Sequence, residues 1–298
     1  MRKIVPYLIT LILLILIIFL SIYLKKLYSS DDRENYRKIP KVVYQTWRTK
    51  ELTPDIQEII EENKKMCPNY QFVLYDNEEC DQFIRENFDE RVYKAYSKIN
   101  PKYGACKADF WRYCILYKKG GIYLDIKNRF TKDLDKIIKD DDSCILDIPR
   151  KISIWRVYNN TPTYEQWLLI FEKNHPYLKT IIDTITNRIL NEYIPPVFDI
   201  KEHLELTTFI PSYLLLVLDY LNVTPSKQRI LFLTGPDAFS EIIDNWIKEN
   251  DGVKKHRNID YLTFCMYDIR CESAKNKLYS TQKITHYSNV EEPIYLDN

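Results

Sequence analysis

The chain has 298 residues, with 43 Lys and Arg against 42 Asp and Glu and a formal net charge of +1. This balance gives no long-range attraction for nucleic acid, and no basic stripe or RNA-binding aromatic motif accompanies it. No glycine-rich phosphate-binding loop occurs either, so a bound nucleotide would need side chains or a metal ion for its phosphates.

The N-terminal segment predicts a membrane span. Residues 4–24 are almost entirely apolar, and a helix over them rises about 31 Å, enough to cross a hydrocarbon core. A cleaved signal peptide is the alternative, but its apolar region is usually about 7 to 15 residues long and ends at small residues. A retained anchor is therefore favoured, with the tail and anchor over residues 1–27 and a polar stem over 28–38. Basic residues flank both ends of the span and leave its orientation open.

The remaining residues, 39–298, fit one α/β domain. A first strand is predicted over Val42–Gln45, followed by a helix that Thr53 and Pro54 open and that runs to about Met66. A second strand over Tyr70–Tyr75 precedes another helix, which Asp76 and Glu79 begin with a capping-box pattern. Strands alternate with helices, as a parallel-rich sheet requires. Later predicted elements are strands over 144–147 and 152–157, helices over 177–193, 212–221 and 237–249, and a solvated loop at 140–142.

A buried helix with two charges comes before the third strand. From Phe110 to Tyr117 every residue except Arg112 is apolar or aromatic, so this helix should be largely buried. Asp109 and Arg112 are three residues apart and share one face of it. Buried charges require partners or a polar ligand. Two interpretations follow: an ion pair that satisfies itself, or the polar wall of a substrate cleft.

A glycine pair and an aspartate frame the third strand. Gly120 and Gly121 are two of only five glycines in the chain, which indicates a backbone that needs unusual freedom there. Ile122–Leu124 then reads as a buried strand, with Asp125 directly after it. Ligands of open α/β sheets gather beyond the carboxyl ends of strands, and a carboxylate there suits a divalent cation that bridges a pyrophosphate. The alternative is an ordinary turn or cap aspartate.

These motifs, taken together, resemble glycosyltransferase family 32. The resemblance is carried by IPKVVYQTW at Ile39–Trp47, by the helix with Ala105, Ala108, Asp109 and Arg112, by GGIYLD at Gly120–Asp125, and by TGP at Thr234–Pro236. It implies a Rossmann-like, GT-A type nucleotide-sugar-binding domain with additional helices over 39–298. It also implies a type II membrane protein, with the catalytic domain in the lumen of an ER- or Golgi-like compartment.

The resemblance implies a nucleoside pocket at the end of the first strand. Trp47 would stack on the donor nucleobase, Gln45 would line the nucleotide pocket, and Tyr123 would line the cleft beside the nucleotide. A tryptophan that simply packs in the core is the alternative for Trp47.

The resemblance also implies the catalytic residues, Asp109, Arg112 and Asp125. The helix pair would hold sugar hydroxyls and phosphates, and Asp125 would be the first acid of a DXD pair that binds Mn²⁺ or Mg²⁺. Lys127 stands where the family usually has the second acid. His286 resembles the family histidine that approaches the metal, although a lone histidine is more often a surface or packed residue.

Lys127 leaves three outcomes open, because an ammonium repels the cation that a carboxylate would attract. Asp125 could hold the metal alone with the donor phosphates and His286. Lys127 could itself neutralise the leaving diphosphate. Turnover could also be lost, which would leave a catalytically silent nucleotide-sugar or glycan binding protein, or a scaffold. The resemblance favours an enzyme that moves a hexose, as mannosyltransferases do, from a UDP- or GDP-sugar to a glycan, glycolipid or glycoprotein acceptor with retention of configuration.

The remaining signals are compositional. Seven cysteines, at positions 67, 80, 106, 114, 144, 265 and 271, form no C-x-x-C pair, which argues against structural zinc. A Cys265–Cys271 disulfide is compatible with an oxidising lumen, but spacing alone cannot show it. Glycosylation sequons at 159–161 and 222–224 agree with a lumenal domain. Twenty-four tyrosines and five glycines are typical of an AT-rich genome, such as a viral one.

Overall fold

The structure is a computed structural model that describes residues 14–23, 37–149, 163–195, 225–270 and 290–296. The strand predicted over 152–157, the helix over 212–221 and both sequons lie outside the described residues. So do His286 and Cys271.

A six-stranded mixed sheet forms the centre of the protein, in the order β2-β1-β3-β6-β5-β7. Strands β2, β1 and β3 run parallel, β6 is antiparallel to both β3 and β5, and β5 is parallel to β7. A separate antiparallel pair joins β4 to β8. The strands are β1 (Val42–Thr46), β2 (Gln71–Tyr75), β3 (Gly121–Leu124), β4 (Asn128–Phe130), β5 (Cys144–Asp147), β6 (Leu168–Phe171), β7 (Arg257–Ile259) and β8 (Cys265–Tyr267).

The helices pack on the faces of this sheet. They are α1 (Pro54–Met66), α2 (Asn77–Asn87), α3 (Glu90–Lys98), α4 (Gly104–Lys119), α5 (Pro176–Leu190), α6 (Pro225–Leu233) and α7 (Pro236–Glu249). Short 3₁₀ turns lie at Leu134–Lys136 and Tyr261–Thr263. The α/β class and the elements predicted up to β5 are thus confirmed, and the sheet is mixed, with three parallel and two antiparallel strand pairings.

Helix α4 lies at the centre of the largest core cluster. Its residues from Asp109 to Leu116 are all buried. Trp111 packs beside Tyr75 of β2, with ring centroids 5.0 Å apart, and beside Tyr123 of β3 at 6.4 Å. Because aromatic rings of strands and helix meet here, the position of α4 relative to β3 is firmly set.

The glycine pair makes the predicted sharp join between α4 and β3. Gly120 has φ +66° and Gly121 has φ +103°, conformations that L side chains rarely adopt. A Cβ at Gly120 would lie 2.7 Å from the Lys173 backbone nitrogen, and one at Gly121 would lie 2.8 Å from the Val42 carbonyl oxygen. Both glycines are therefore required by close backbone approach as well as by φ.

Local details at the helix starts and in the 140–142 loop differ in part from prediction. The capping box of Asp76 and Glu79 is present. Thr53 does occupy the N-cap of α1, but its side chain makes no capping hydrogen bond. In the predicted solvated loop the side chain of Asp142 is buried, because it accepts a 2.7 Å hydrogen bond from Nε of Arg257.

Only residues 14–23 of the predicted membrane span are described. They are helical and all exposed, with apolar side chains such as Leu14 and Phe19 at 56% and 69% exposure. Within the described ranges, no helix is both long and apolar enough to cross a membrane.

Candidate active site

The side chain of Asp125 lies at the carboxyl end of β3, where ligands of α/β sheets bind. Its Oδ1 accepts a 2.6 Å hydrogen bond from the hydroxyl of Tyr123 and lies 3.5 Å from Nη2 of Arg112. The Asp125 side chain is 37% exposed, whereas the Arg112 side chain is 7% exposed. Of these three side chains, that of Asp125 thus reaches toward solvent.

Asp109 and Arg112 form a buried ion pair within α4. Nη2 of Arg112 lies 2.9 Å from Oδ1 of Asp109, and both side chains are nearly inaccessible. The guanidinium also stacks over the ring of Tyr123, 4.3 Å from its centroid. The interpretation as an ion pair that satisfies itself is therefore observed, and the polar wall of a substrate cleft stays a prediction. We call Asp109, Arg112, Tyr123 and Asp125 the acidic cluster.

Burial changes the protonation of this cluster. Desolvation raises the pKa of Asp109 to about 7, although Arg112 and a hydrogen bond from Thr234 act in the opposite direction. Burial alone would lower the pKa of Arg112, but Tyr123, Asp109 and Asp125 together raise it. Arg112 is therefore a permanent cation, and Asp109 can exist in either state near neutral pH.

Gln166 and Thr234 hold this ion pair in place, and neither residue had a role predicted from the sequence. Nη1 of Arg112 donates to the backbone carbonyl of Gln166 at 2.9 Å. Thr234, in the loop between α6 and α7, donates from Oγ1 to Oδ2 of Asp109 at 3.1 Å. The TGP motif was a signal for Thr234, but nothing in the sequence indicates that Gln166 acts through its backbone.

Gln45 and Trp47 lie on the opposite face of the sheet from the acidic cluster. Gln45 follows Tyr44, which packs on the α4 side, so its side chain points the other way. It lines a groove of about 200 Å³ between α1 and β2. Its Nε2 is buried and has no partner among the described residues. Trp47 packs against the isoleucines of α1, so packing accounts for at least part of its burial.

Lys127 lies in the turn between β3 and β4. Its carbonyl accepts a 2.9 Å hydrogen bond from the Asp268 backbone, and its side chain is half-buried and makes no ion pair with the described residues. The described residues contain no group of three or more His, Cys, Asp or Glu side chains that could hold a metal ion. One carboxylate, followed two residues later by a lysine, does not fit a divalent cation held by these residues alone.

A protein-family comparison covers this site. The sequence model of the family described as "Glycosyltransferase sugar-binding region containing DXD motif" matches residues 53–144. The match runs from the N-cap of α1 to the first residue of β5 and includes the whole acidic cluster and Lys127. The segment that holds the acidic cluster therefore matches the sugar-binding region of glycosyltransferases.

Curated relatives agree with this class. "Inositol phosphoceramide mannosyltransferase 3" and "1" of Schizosaccharomyces pombe are 28% and 27% identical to this chain, over 59% and 73% of it and 44% and 66% of their own lengths. "Initiation-specific alpha-1,6-mannosyltransferase" of Candida albicans is 26% identical over 53% of this chain and 45% of the relative. The chain thus spans less than two thirds of each relative's length.

Among solved structures, "PaToxG Glycosyltransferase" aligns with this chain at 13% identity, over 92% of this chain and 88% of that chain. The TM-score of 0.47 is too low for this alignment to define the fold.

The resemblance that the sequence motifs indicated is thereby confirmed. Residues 53–144 match the glycosyltransferase sugar-binding region, with Lys127 in place of the second acid of the DXD pair.

Proposed function

We propose that this chain transfers a hexose, mannose in the reactions that its relatives' names describe, from a UDP- or GDP-sugar to a hydroxyl of a glycan or glycolipid. We further propose a GT-A type domain and retention of configuration. The observation that supports the proposal most is the convergence of Asp109, Arg112, Tyr123 and Asp125 at the carboxyl end of β3. These residues come from two elements inside the segment that the family model matches.

The chemistry asked of the site is electrostatic. As the bond between sugar and diphosphate breaks, negative charge grows on the diphosphate and positive charge on the sugar. An ionised carboxylate accepts hydrogen bonds at both oxygens. The Tyr123 hydroxyl donates to one lone pair of Asp125 Oδ1. The other lone pairs of this carboxylate can therefore accept hydrogen bonds from sugar hydroxyls. Arg112 and Lys127, which lie on either side of Asp125 in the chain, supply positive charge for the diphosphate. The leaving phosphate itself can take the proton of the acceptor hydroxyl.

A metal ion is not needed for this argument. Mn²⁺ or Mg²⁺, with Asp125 and His286 as ligands, remains a prediction from the family resemblance, and His286 is outside the described residues. If Lys127 instead neutralises the diphosphate, the reaction should persist in the presence of a chelator.

Membrane anchoring through residues 4–24 is part of the proposal. Its support is the apolar composition of this segment and the exposed apolar side chains of the helix over 14–23. Carbonate extraction of membranes tests it, since an anchored chain stays in the pellet and a variant without residues 1–27 is released. Release of the full chain would refute the anchor.

The experiment for the catalytic proposal uses the full chain in detergent. Nucleotide release from a panel of UDP- and GDP-sugars is measured with manganese and with a chelator, beside Asp125→Asn as the inactive control. Turnover that only the wild type shows supports the proposal. Saturable donor binding without turnover would instead indicate the silent binding protein, and absence of binding would refute a donor site altogether.

A further inference from the structure

The hydrogen bonds around the ion pair of α4 form a closed ring. Thr234 donates from Oγ1 to Asp109 at 3.1 Å, and Asp109 pairs with Arg112 at 2.9 Å. Arg112 donates to the carbonyl of Gln166 at 2.9 Å, and Nε2 of Gln166 returns to the carbonyl of Thr234 at 3.1 Å. Three separate segments of the chain meet in this ring: α4, the residues before β6, and the loop between α6 and α7.

The Thr234 hydroxyl donates its single proton in a hydrogen bond to Asp109. Oγ1 lies 3.1 Å from Oδ2 of Asp109 and 3.4 Å from Sγ of Cys106. A carboxylate is a far stronger acceptor than sulfur, so the carboxylate takes the proton and the Cys106 thiol can donate to Oγ1 in turn. Thr234 has no exposed surface, so water cannot replace this bond.

The backbone holds Thr234 in place from both sides. Its carbonyl accepts from the hydroxyl of Tyr113 at 2.7 Å in addition to Gln166, and its N–H donates to Ile230 at 3.0 Å. At the next position, a Cβ on Gly235 would lie 2.6 Å from Cα of Leu231. Any side chain there would push the loop away from the end of α6. The glycine of the TGP motif thus lets the loop that carries Thr234 close tightly against α6.

We infer that Thr234 is a positioning residue of the donor site, which aligns Asp109 and Arg112 behind Asp125 without touching the donor. The inference rests on the proposed function, because it assigns a task within the same site. The route is short: Thr234 fixes the carboxylate of Asp109, Asp109 fixes the guanidinium of Arg112, and that guanidinium lies 3.5 Å from Asp125.

The test is Thr234→Val, which keeps the shape and removes the hydroxyl. We expect the donor KM to rise about 10-fold, with about 100-fold as the upper limit set by the full free energy of a hydrogen bond to a charged group. The acceptor KM should stay unchanged. A merely structural defect would reduce the amount of folded enzyme and hence kcat, but it would leave the donor KM as it is.

Two variants serve as controls. Thr234→Ser keeps the hydroxyl and should restore the donor KM to within a few-fold of wild type. Thr186→Val is the matched control, because Thr186 is also fully buried and its hydroxyl has no partner among the described residues. It should leave the donor KM unchanged.

Should Thr234→Val fail to fold, Tyr113→Phe decides the question. It removes one of the two side-chain donors to the Thr234 carbonyl while Gln166 keeps the other, so a smaller, several-fold rise in donor KM is expected. A wild-type donor KM in whichever of these two variants folds would overturn the inference while the proposed function stands. Absence of donor binding by the wild-type chain would overturn both.

Discussion

Replacement of Arg112 by methionine should destabilise the protein by an amount that grows with pH. The folded-state pKa of Asp109 is about 7, raised by desolvation above its ordinary value of 3.8. A group with a raised folded-state pKa contributes stability at low pH and loses it as pH rises toward that pKa. In the wild type the stability contributed by Asp109 stops falling near pH 7, because Arg112 allows the Asp109 carboxyl to ionise there.

Without Arg112 the pKa of Asp109 rises further, so the loss of stability continues at higher pH. At about 1.4 kcal/mol per pH unit, the difference between wild type and Arg112→Met should grow by up to about 2.7 kcal/mol between pH 7 and pH 9. Near pH 6 Asp109 is neutral in both proteins. The difference there reflects mainly the lost hydrogen bond to Gln166, about 1.5–3 kcal/mol for a charged donor.

Urea denaturation of both proteins in detergent, at several pH values, measures this difference. Asp109→Asn provides the control background, because it removes the titrating group. In that background the effect of Arg112→Met should no longer change with pH. If the single variant differs from wild type by the same free energy at pH 7 and pH 9, the assigned coupling between Asp109 and Arg112 is wrong.

Three further outcomes test other parts of the account. Asp125→Asn should lower nucleotide release at least about 100-fold with little change in thermal midpoint, since its side chain is 37% exposed; wild-type rates would refute the site. Lys127→Asp should make turnover more dependent on manganese, and an unchanged metal response would remove Lys127 from the diphosphate site. Gly121→Ala should cost more than about 2 kcal/mol in urea unfolding, because φ is +103° and Cβ meets the Val42 carbonyl at 2.8 Å. Gly252→Ala, with φ +76° and open space around it, should cost about 1 kcal/mol, and equal losses would contradict the packing argument.

Much of the fold could be predicted where local signals are strong. The capping box at Asp76, the proline that opens α1 and the glycine pair before β3 each act within a few residues, so their effects can be read from sequence. Strand β6 was missed, although its four residues are a continuous apolar run between Trp167 and Glu172. A short run of this kind does not reveal its direction, which is why the antiparallel strand β6 was not predicted.

The candidate site was predictable in part for the same reason. Asp109, Arg112 and Asp125 come from adjoining elements joined by two glycines, so their meeting follows from one local turn. Gln166 and Thr234 belong to distant segments; the TGP motif marks Thr234, but Gln166 holds Arg112 through its backbone carbonyl. A carbonyl exists at every residue, so only the tertiary arrangement distinguishes Gln166.

The central claim is that a sugar nucleotide binds beyond the carboxyl end of β3, with its sugar toward Asp125 and its diphosphate toward the positive charges of Arg112 and Lys127. A crystal structure of the chain soaked with UDP and with GDP tests this most directly. The diphosphate of one of them should lie beyond the carboxyl end of β3, toward Lys127 and Arg112. A diphosphate bound only in the groove between α1 and β2, or none at the end of β3 despite measured binding, would contradict it.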